Sequence, residues 1–214
     1  GLGSFIVKSN LFLGLRHLML PRKKLRQMGS PDLLALGKVP QVSEMTLSDG
    51  LDGNIQTIDF MKRIARVRSG DPLVRKLALK ILNDYNVPSH HFVDEALAIG
   101  DFVKNNVAYV RDPDDIEYLQ DPLDLIKQMQ KGTARGDCDD MSAVCAALLL
   151  SIGHRPFFRA VRYESSFGNY NHIYVVVYEQ NMAGARQRVV LDCILKDRMI
   201  GSEVQHVNGD EYDV

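Results

Sequence analysis

Three cysteines in 214 residues are too few for a disulfide framework. Cys138 and Cys145 fall two turns apart on one helical pattern and cannot reach each other, which points to a reducing compartment. No C-x-x-C or H-x-x-x-H spacing accompanies them or Cys193, so no metal site is expected. Long apolar runs are also missing. Leu11 to Leu20 is broken by Gly14, Arg16 and His17, so no membrane span is expected, and no secretory signal is evident. Phe5 stands where a myristoylation motif wants Ser or Thr. Internal repeats and low-complexity tracts are absent as well.

Acidic residues are missing from residues 1–30, which hold Lys8, Arg16, Arg22, Lys23, Lys24 and Arg26 and so carry +6. The remainder holds 20 basic against 27 acidic residues, so a net charge of −1 conceals a basic arm on an acidic body. Phe5, Leu11, Phe12, Leu15 and Leu18 give the arm apolar surface, which suits docking on a partner protein better than purely electrostatic contact with nucleic acid. The turn signals Asp49-Gly50 and Asp52-Gly53 place a boundary near residue 50, with an arm and linker over 1–50 and one domain over 51–214. A content of 45% hydrophobic and 25% charged residues suits one ordinary globular core.

Helical spacing is present over Ile58 to Val67, Pro72 to Leu82 and Phe92 to Val107, with a shorter helix marked by Leu123, Ile126 and Met129. Asp112 to Asp115 reads as a turn, solvated rather than cation-binding, and Phe157 to Tyr163 as a first strand. From Met141 the apolar positions Val144, Cys145, Leu148, Leu149 and Ile152 describe a helix with one buried face, stopped by Gly153. Cys138 lies three residues before Met141, in the first turn of that helix and on its core-facing stripe.

A helix N-terminus favours a thiolate. Asp137, Asp139 and Asp140 oppose it, and Asp137 as N-cap consumes one of the free N–H groups, so the sulfur needs a base. Asn171 to Tyr178 and Arg186 to Leu191 read as strands joined by a turn over Asn181 to Ala185. Folding about Met182 and Ala183 pairs residues whose numbers sum to roughly 365, which sets His172 opposite Asp192. The pair is expected on one face, within reach of Cys138. A lone Cys, His or Asp is usually structural, and Cys145, His90, His91 and His154 are read that way; a helix-start Cys with a facing His and Asp is a nucleophile, base and orienting acid.

Gly136-Asp137-Cys138-Asp139-Asp140, the Ala- and Leu-rich helix ending at Gly153, the His172 strand and the Leu191-Asp192 strand together resemble the transglutaminase-like superfamily of papain-like cysteine enzymes. Tyr109-Val110-Arg111-Asp112-Pro113, with Glu117, Leu119-Gln120 and Pro122, is similar to members found in bacteriophage and prophage genomes. The likeness spans about residues 51 to 195. It implies Cys138 as nucleophile, His172 as base and Asp192 as its partner. The chain departs from the pattern in having no Trp and in placing Cys193 after Asp192, where Pro is common. The backbone N–H of Cys138 and the side-chain amide of Gln120 are the candidate oxyanion donors.

The expected fold is α+β, with a helical N-terminal half and Cys138 at the start of a helix packed on an antiparallel sheet. The expected function is cysteine-dependent acyl transfer on a peptide or protein amide, by a phage-encoded peptidase or amidase rather than a crosslinking enzyme, because no second domain is evident for an amine-donor protein. No cofactor or metal is implied. The alternative is a structural or assembly component of a phage particle that uses the domain as a scaffold, with other assembly proteins bound through residues 1–30. The implied location is the bacterial host cytoplasm or the virion.

Overall fold

The computed structural model describes residues 5–8, 43–48, 50–113, 116–163 and 170–214. Two short strands, β1 (Phe5–Lys8) and β2 (Ser43–Thr46), precede the helices α1 (Leu51–Ser69), α2 (Pro72–Asp84) and α3 (Phe92–Asn106). Each helix covers a periodicity visible in the sequence. Helix α1 begins earlier than expected, so Asp52 and Gly53 belong to its first turn rather than to a boundary loop. A Cβ at Gly53 would collide with the Ser48 carbonyl, and this close approach of the preceding chain accounts for the glycine. Helix α2 starts with Pro72 in its first turn and Asp71 accepting the Leu73 N–H at 2.8 Å.

The chain continues through β3 (Ala108–Tyr109), β4 (Glu117–Leu119), α4 (Pro122–Gln130), β5 (Arg135–Gly136) and α5 (Cys138–Ser151). It ends in β6 (Phe157–Arg162), β7 (His172–Gln180), β8 (Arg186–Leu191) and β9 (Asn208–Asp213). The fold is α+β, with the main sheet antiparallel throughout in the order β8-β7-β6-β9. Strand β9 has a polar sequence without apolar alternation and escaped the sequence reading; it forms by pairing with β6 at the sheet edge.

Helix α5 is not the one-faced helix its spacing suggested. Twelve of its residues, Asp139 to Leu149 and Ser151, are buried, on every side of the helix. Ala143, Ala146 and Ala147 supply the small side chains that let α1, α2, α3 and α4 close around it while β7 packs on its remaining side. Its C-terminus is a Schellman turn: Gly153, at φ 99°, donates to the Leu150 carbonyl and His154 to that of Leu149. Cys145 and Cys193 are buried core residues. His154 is buried too, with Nδ1 2.6 Å from Glu179 of β7 and Nε2 3.1 Å from Glu95 of α3, so it fastens the end of α5 to both layers.

Residues 5–8, assigned to the basic arm by sequence, are paired in β1, parallel to β2 and antiparallel to β4. That part of the arm is thus built into a separate three-stranded sheet, β2-β1-β4; residues 9–42 lie outside the described residues. No helix among the described residues is long and apolar enough to cross a membrane.

One buried ion pair holds the helical layer to the loop before α4. Asp121 is fully buried; it caps α4 by accepting the Leu123 N–H at 2.9 Å and takes the Arg68 Nε–H at 2.7 Å. Burial raises the Asp121 carboxyl, and Arg68 opposes that rise. Removing the cation leaves an uncompensated buried acid. Arg68→Ala is therefore expected to destabilise the domain by about 3 kcal/mol, read as a lower midpoint of urea unfolding at pH 7.

Candidate active site

The Gly136 to Asp140 motif has a local physical account. Asp137 is the N-cap of α5, with its side chain accepting the Asp139 N–H at 3.3 Å. Asp139 Oδ1 accepts the Asp140 N–H at 2.6 Å. Asp140 turns back to accept from the Gln120 N–H and from Gln120 Nε2, each at 2.6 Å. A Cβ at Gly136 would lie 2.7 Å from Asp140 Cβ and Oδ2, so only glycine leaves room for this carboxylate. Among the described residues no side chain takes the Cys138 N–H, one of the helix-start donors that have no intrahelical partner.

Gln120 does not occupy the place expected of an oxyanion donor. Its Nε2 donates to the Arg135 carbonyl at 2.7 Å and to Asp140, while its Oε1 accepts from Gln128 at 3.0 Å. Both amide hydrogens are committed to bracing the loop, and Gln120 does not line the cavity at Cys138.

His172 opens β7 and Asp192 follows the end of β8. The register pairs Val175 with Leu191 and Val176 with Val190, one residue displaced from a turn at Met182 and Ala183, so the two are diagonal neighbours on one face. His172 Nε2 lies 2.9 Å from Asp192 Oδ2, and both residues are buried. A carboxylate only accepts, so Nε2 carries the proton and Nδ1 keeps its lone pair. The Tyr163 ring stacks on the imidazole at 6.0 Å and 17°, and Tyr174 lies 5.5 Å away on its own strand. Neither tyrosine was singled out in the sequence, because each reads there as an ordinary strand aromatic.

Strand alternation puts His172 with Tyr174 and Val176, on the face of the sheet turned away from α5, whereas Ile173 and Val175 pack with the helices. Cys138 packs with the helix-side cluster, so it and His172 stand toward opposite faces of β7 and share only the walls of one cavity at the start of that strand. Ser142 Oγ, one turn along α5 from Cys138, is 3.1 Å from the Ile173 carbonyl, and the Ile173 N–H lies near enough to the thiol to favour its charged form. Cys138 and His172 border one cavity of about 480 Å³, a size that suits a small molecule or a short peptide segment. Its other walls include Asn54, Thr57, Ile58 and Met61 of α1, Tyr109, Arg111, Asp112, Pro113, Ile116 and Glu117. Arg111, Asp112, Pro113 and Glu117 thus lie on the surface of the cavity.

Burial and the adjacent Asp137 carboxylate push the Cys138 thiol well above its ordinary range, and the Ile173 N–H only partly opposes them. The resting form is the neutral thiol. Carboxylate oxygens of Asp137, Asp139 and Asp140 lie within 4.8 Å of one another, a spacing a cation could use, but the Asp140 oxygens are held by Gln120 and Asp137 caps the helix.

No protein-family profile and no curated protein matches this chain. A protein from Cytophaga hutchinsonii, solved as a crystal structure and assigned as a cysteine protease, aligns with 59% of this chain and 38% of its own length, at 18% identity and a TM-score of 0.39.

Asp137→Asn keeps a good N-cap while removing the charge beside the thiol. It is expected to lower the Cys138 pKa and speed its alkylation by iodoacetamide at pH 8 about fivefold, measured by mass spectrometry of the labelled peptide. An unchanged rate would mean that Asp137 does not control the thiol.

Proposed function

We propose that the protein is a cysteine-dependent acyl-transfer enzyme, a peptidase or amidase, with Cys138 as nucleophile, His172 as general base and acid, and Asp192 as the residue that orients it. The observation that carries this reading is that His172, held 2.9 Å from Asp192, borders the same cavity as a thiol at the first turn of α5. The transglutaminase-like resemblance assigns the same three residues the same roles.

The environment dictates how the chemistry starts. The thiol resists ionisation on its own, so its proton must leave as the sulfur attacks, and His172 Nδ1 is the lone pair available to accept it. Sulfur bonds to the amide carbon while the carbonyl electrons move to oxygen. The Cys138 N–H is one donor for that oxyanion, and Tyr109, a cavity-lining phenol kept protonated by desolvation and by the Asp137 carboxylate, is a second. Collapse of this intermediate breaks the C–N bond. The amine leaves with the proton from His172, and a thioester remains. Water attacks the thioester and gives its proton to Nδ1; the acid departs, and the thiolate regains the proton. Asp192 holds the ring through Nε2, which leaves Nδ1 for the reaction.

Cys138 is expected to react with iodoacetamide faster than Cys145 or Cys193, both of which are buried. His172→Ala should slow Cys138 labelling at least about tenfold, and Asp192→Asn by a smaller factor. Both substitutions should abolish release of amine from a peptide amide substrate. Equal labelling of the three sulfurs, or labelling of Cys138 that is indifferent to His172, would leave the domain without acyl-transfer chemistry.

A further inference from the structure

The reaction proposed above uses Cys138, His172 and Asp192 but has no use for the acidic wall that faces them. Asp112, Glu117, Asp137 and Asp139 line the cavity, against one arginine, Arg111, among the described residues. Apart from one another, these acids meet only backbone N–H groups: Asp137 accepts the Asp139 N–H, Asp139 Oδ1 the Asp140 N–H, and Asp112 the Tyr118 N–H, while Glu117 contacts the Asp139 carboxyl. Asp139 is 3% exposed, and its Oδ2 is buried without a hydrogen-bond partner. An orphaned buried carboxylate oxygen beside a cavity is costly unless something fills its place.

Elsewhere the same fold treats a buried acid differently. Asp121, equally buried, is met by the Arg68 guanidinium. At the cavity no described side chain plays that part for Asp139. The consequence shows in the titration of the wall. Burial and mutual repulsion push Asp112 up to about 7, raise Glu117 despite its contact with Asp139, and raise Asp139 well above the carboxylate range. A cation placed among these groups would restore their charge.

We infer that this wall recognises a positively charged group on the substrate, an alkylammonium or guanidinium of a lysine- or arginine-like side chain, seated against Glu117 and Asp139 Oδ2 while the amide lies at Cys138. The inference rests on the acyl-transfer reading for the position of the amide; recognition of the cation stands on the wall itself. It gives the cavity a substrate class: basic peptides and amides of basic amino acids.

Binding is measured on the full chain carrying Cys138→Ala, by NMR titration with the Nα-acetyl N-methylamides of lysine, arginine, norleucine and glutamate. Lysine and arginine derivatives are expected to bind at least about tenfold more tightly than norleucine, and glutamate more weakly than norleucine. Glu117→Gln should reduce the lysine preference about fivefold, while the exposed Asp59→Asn leaves it intact. Should Glu117→Gln fail to fold, Asp112→Asn serves the same purpose. The wild-type protein gives a third reading: a cationic methanethiosulfonate should modify Cys138 faster than an anionic one, beyond their ratio toward a free thiol. Equal binding of lysine and norleucine derivatives overturns the inference. So does a preference that survives loss of the wall charge, or a wall that responds to calcium or magnesium and not to the ammonium ligands. Because binding is read without Cys138, a lysine preference in a protein that cleaves no amide would reject the enzymatic reading alone.

Discussion

Everything about this domain follows from burying α5 on all sides. A helix enclosed by four others and by β7 cannot offer its first turn to bulk water, so whatever stands there is held by the surrounding layers. Cys138 stands there, half-buried at the cavity. The Ser142 hydroxyl joins the first turn of α5 to the start of β7, through the Cys138 and Ile173 carbonyls, and so fixes the thiol to the strand that carries His172. The Schellman turn at Gly153 and the His154 bridge to Glu95 and Glu179 fix the other end of the same helix. Its position is therefore determined at both termini.

That burial has an electrostatic consequence. Three acidic neighbours of the thiol are drawn out of water with it, and each is handled differently. Asp137 is spent on the cap, and Asp140 is folded over Gly136 onto Gln120. Asp139 retains an oxygen that nothing in the described residues satisfies. The first two explain a glycine and two aspartates of the motif as packing requirements. The third turns the motif toward a ligand. Burial first, and then the Asp137 charge, raise the thiol, so the helix N-terminus alone does not activate it, and the proposed chemistry calls for a base.

The segment from Tyr109 to Gln120 illustrates how one stretch serves both walls and frame. Arg111, Asp112, Pro113 and Glu117 face the cavity, whereas Gln120 faces inward and braces the loop before α5. In sequence these residues look alike, polar and close together. Their division of labour depends on β4 turning at its end, where Leu119 and Gln120 become buried, and on β1 pairing along it.

The amino-acid sequence by itself determined the helices, the β7–β8 hairpin to within one residue, and the succession of Cys138, His172 and Asp192, because periodicity, capping residues and turn chemistry are local. Gly153 and Asp137 announced the ends of α5 for the same reason. It did not determine which faces of α5 are buried, since a spacing of large residues conceals that the alanines between them are packed as tightly. Gln120 was misplaced because an amide reads identically whether its hydrogens are free or committed. Strand β9 was invisible because its pairing comes from β6 and not from its own side chains. The acidic wall was the work of the tertiary structure alone: carboxylates distant in the chain raise one another's pKa only when folding removes the water between them and brings them to one cavity.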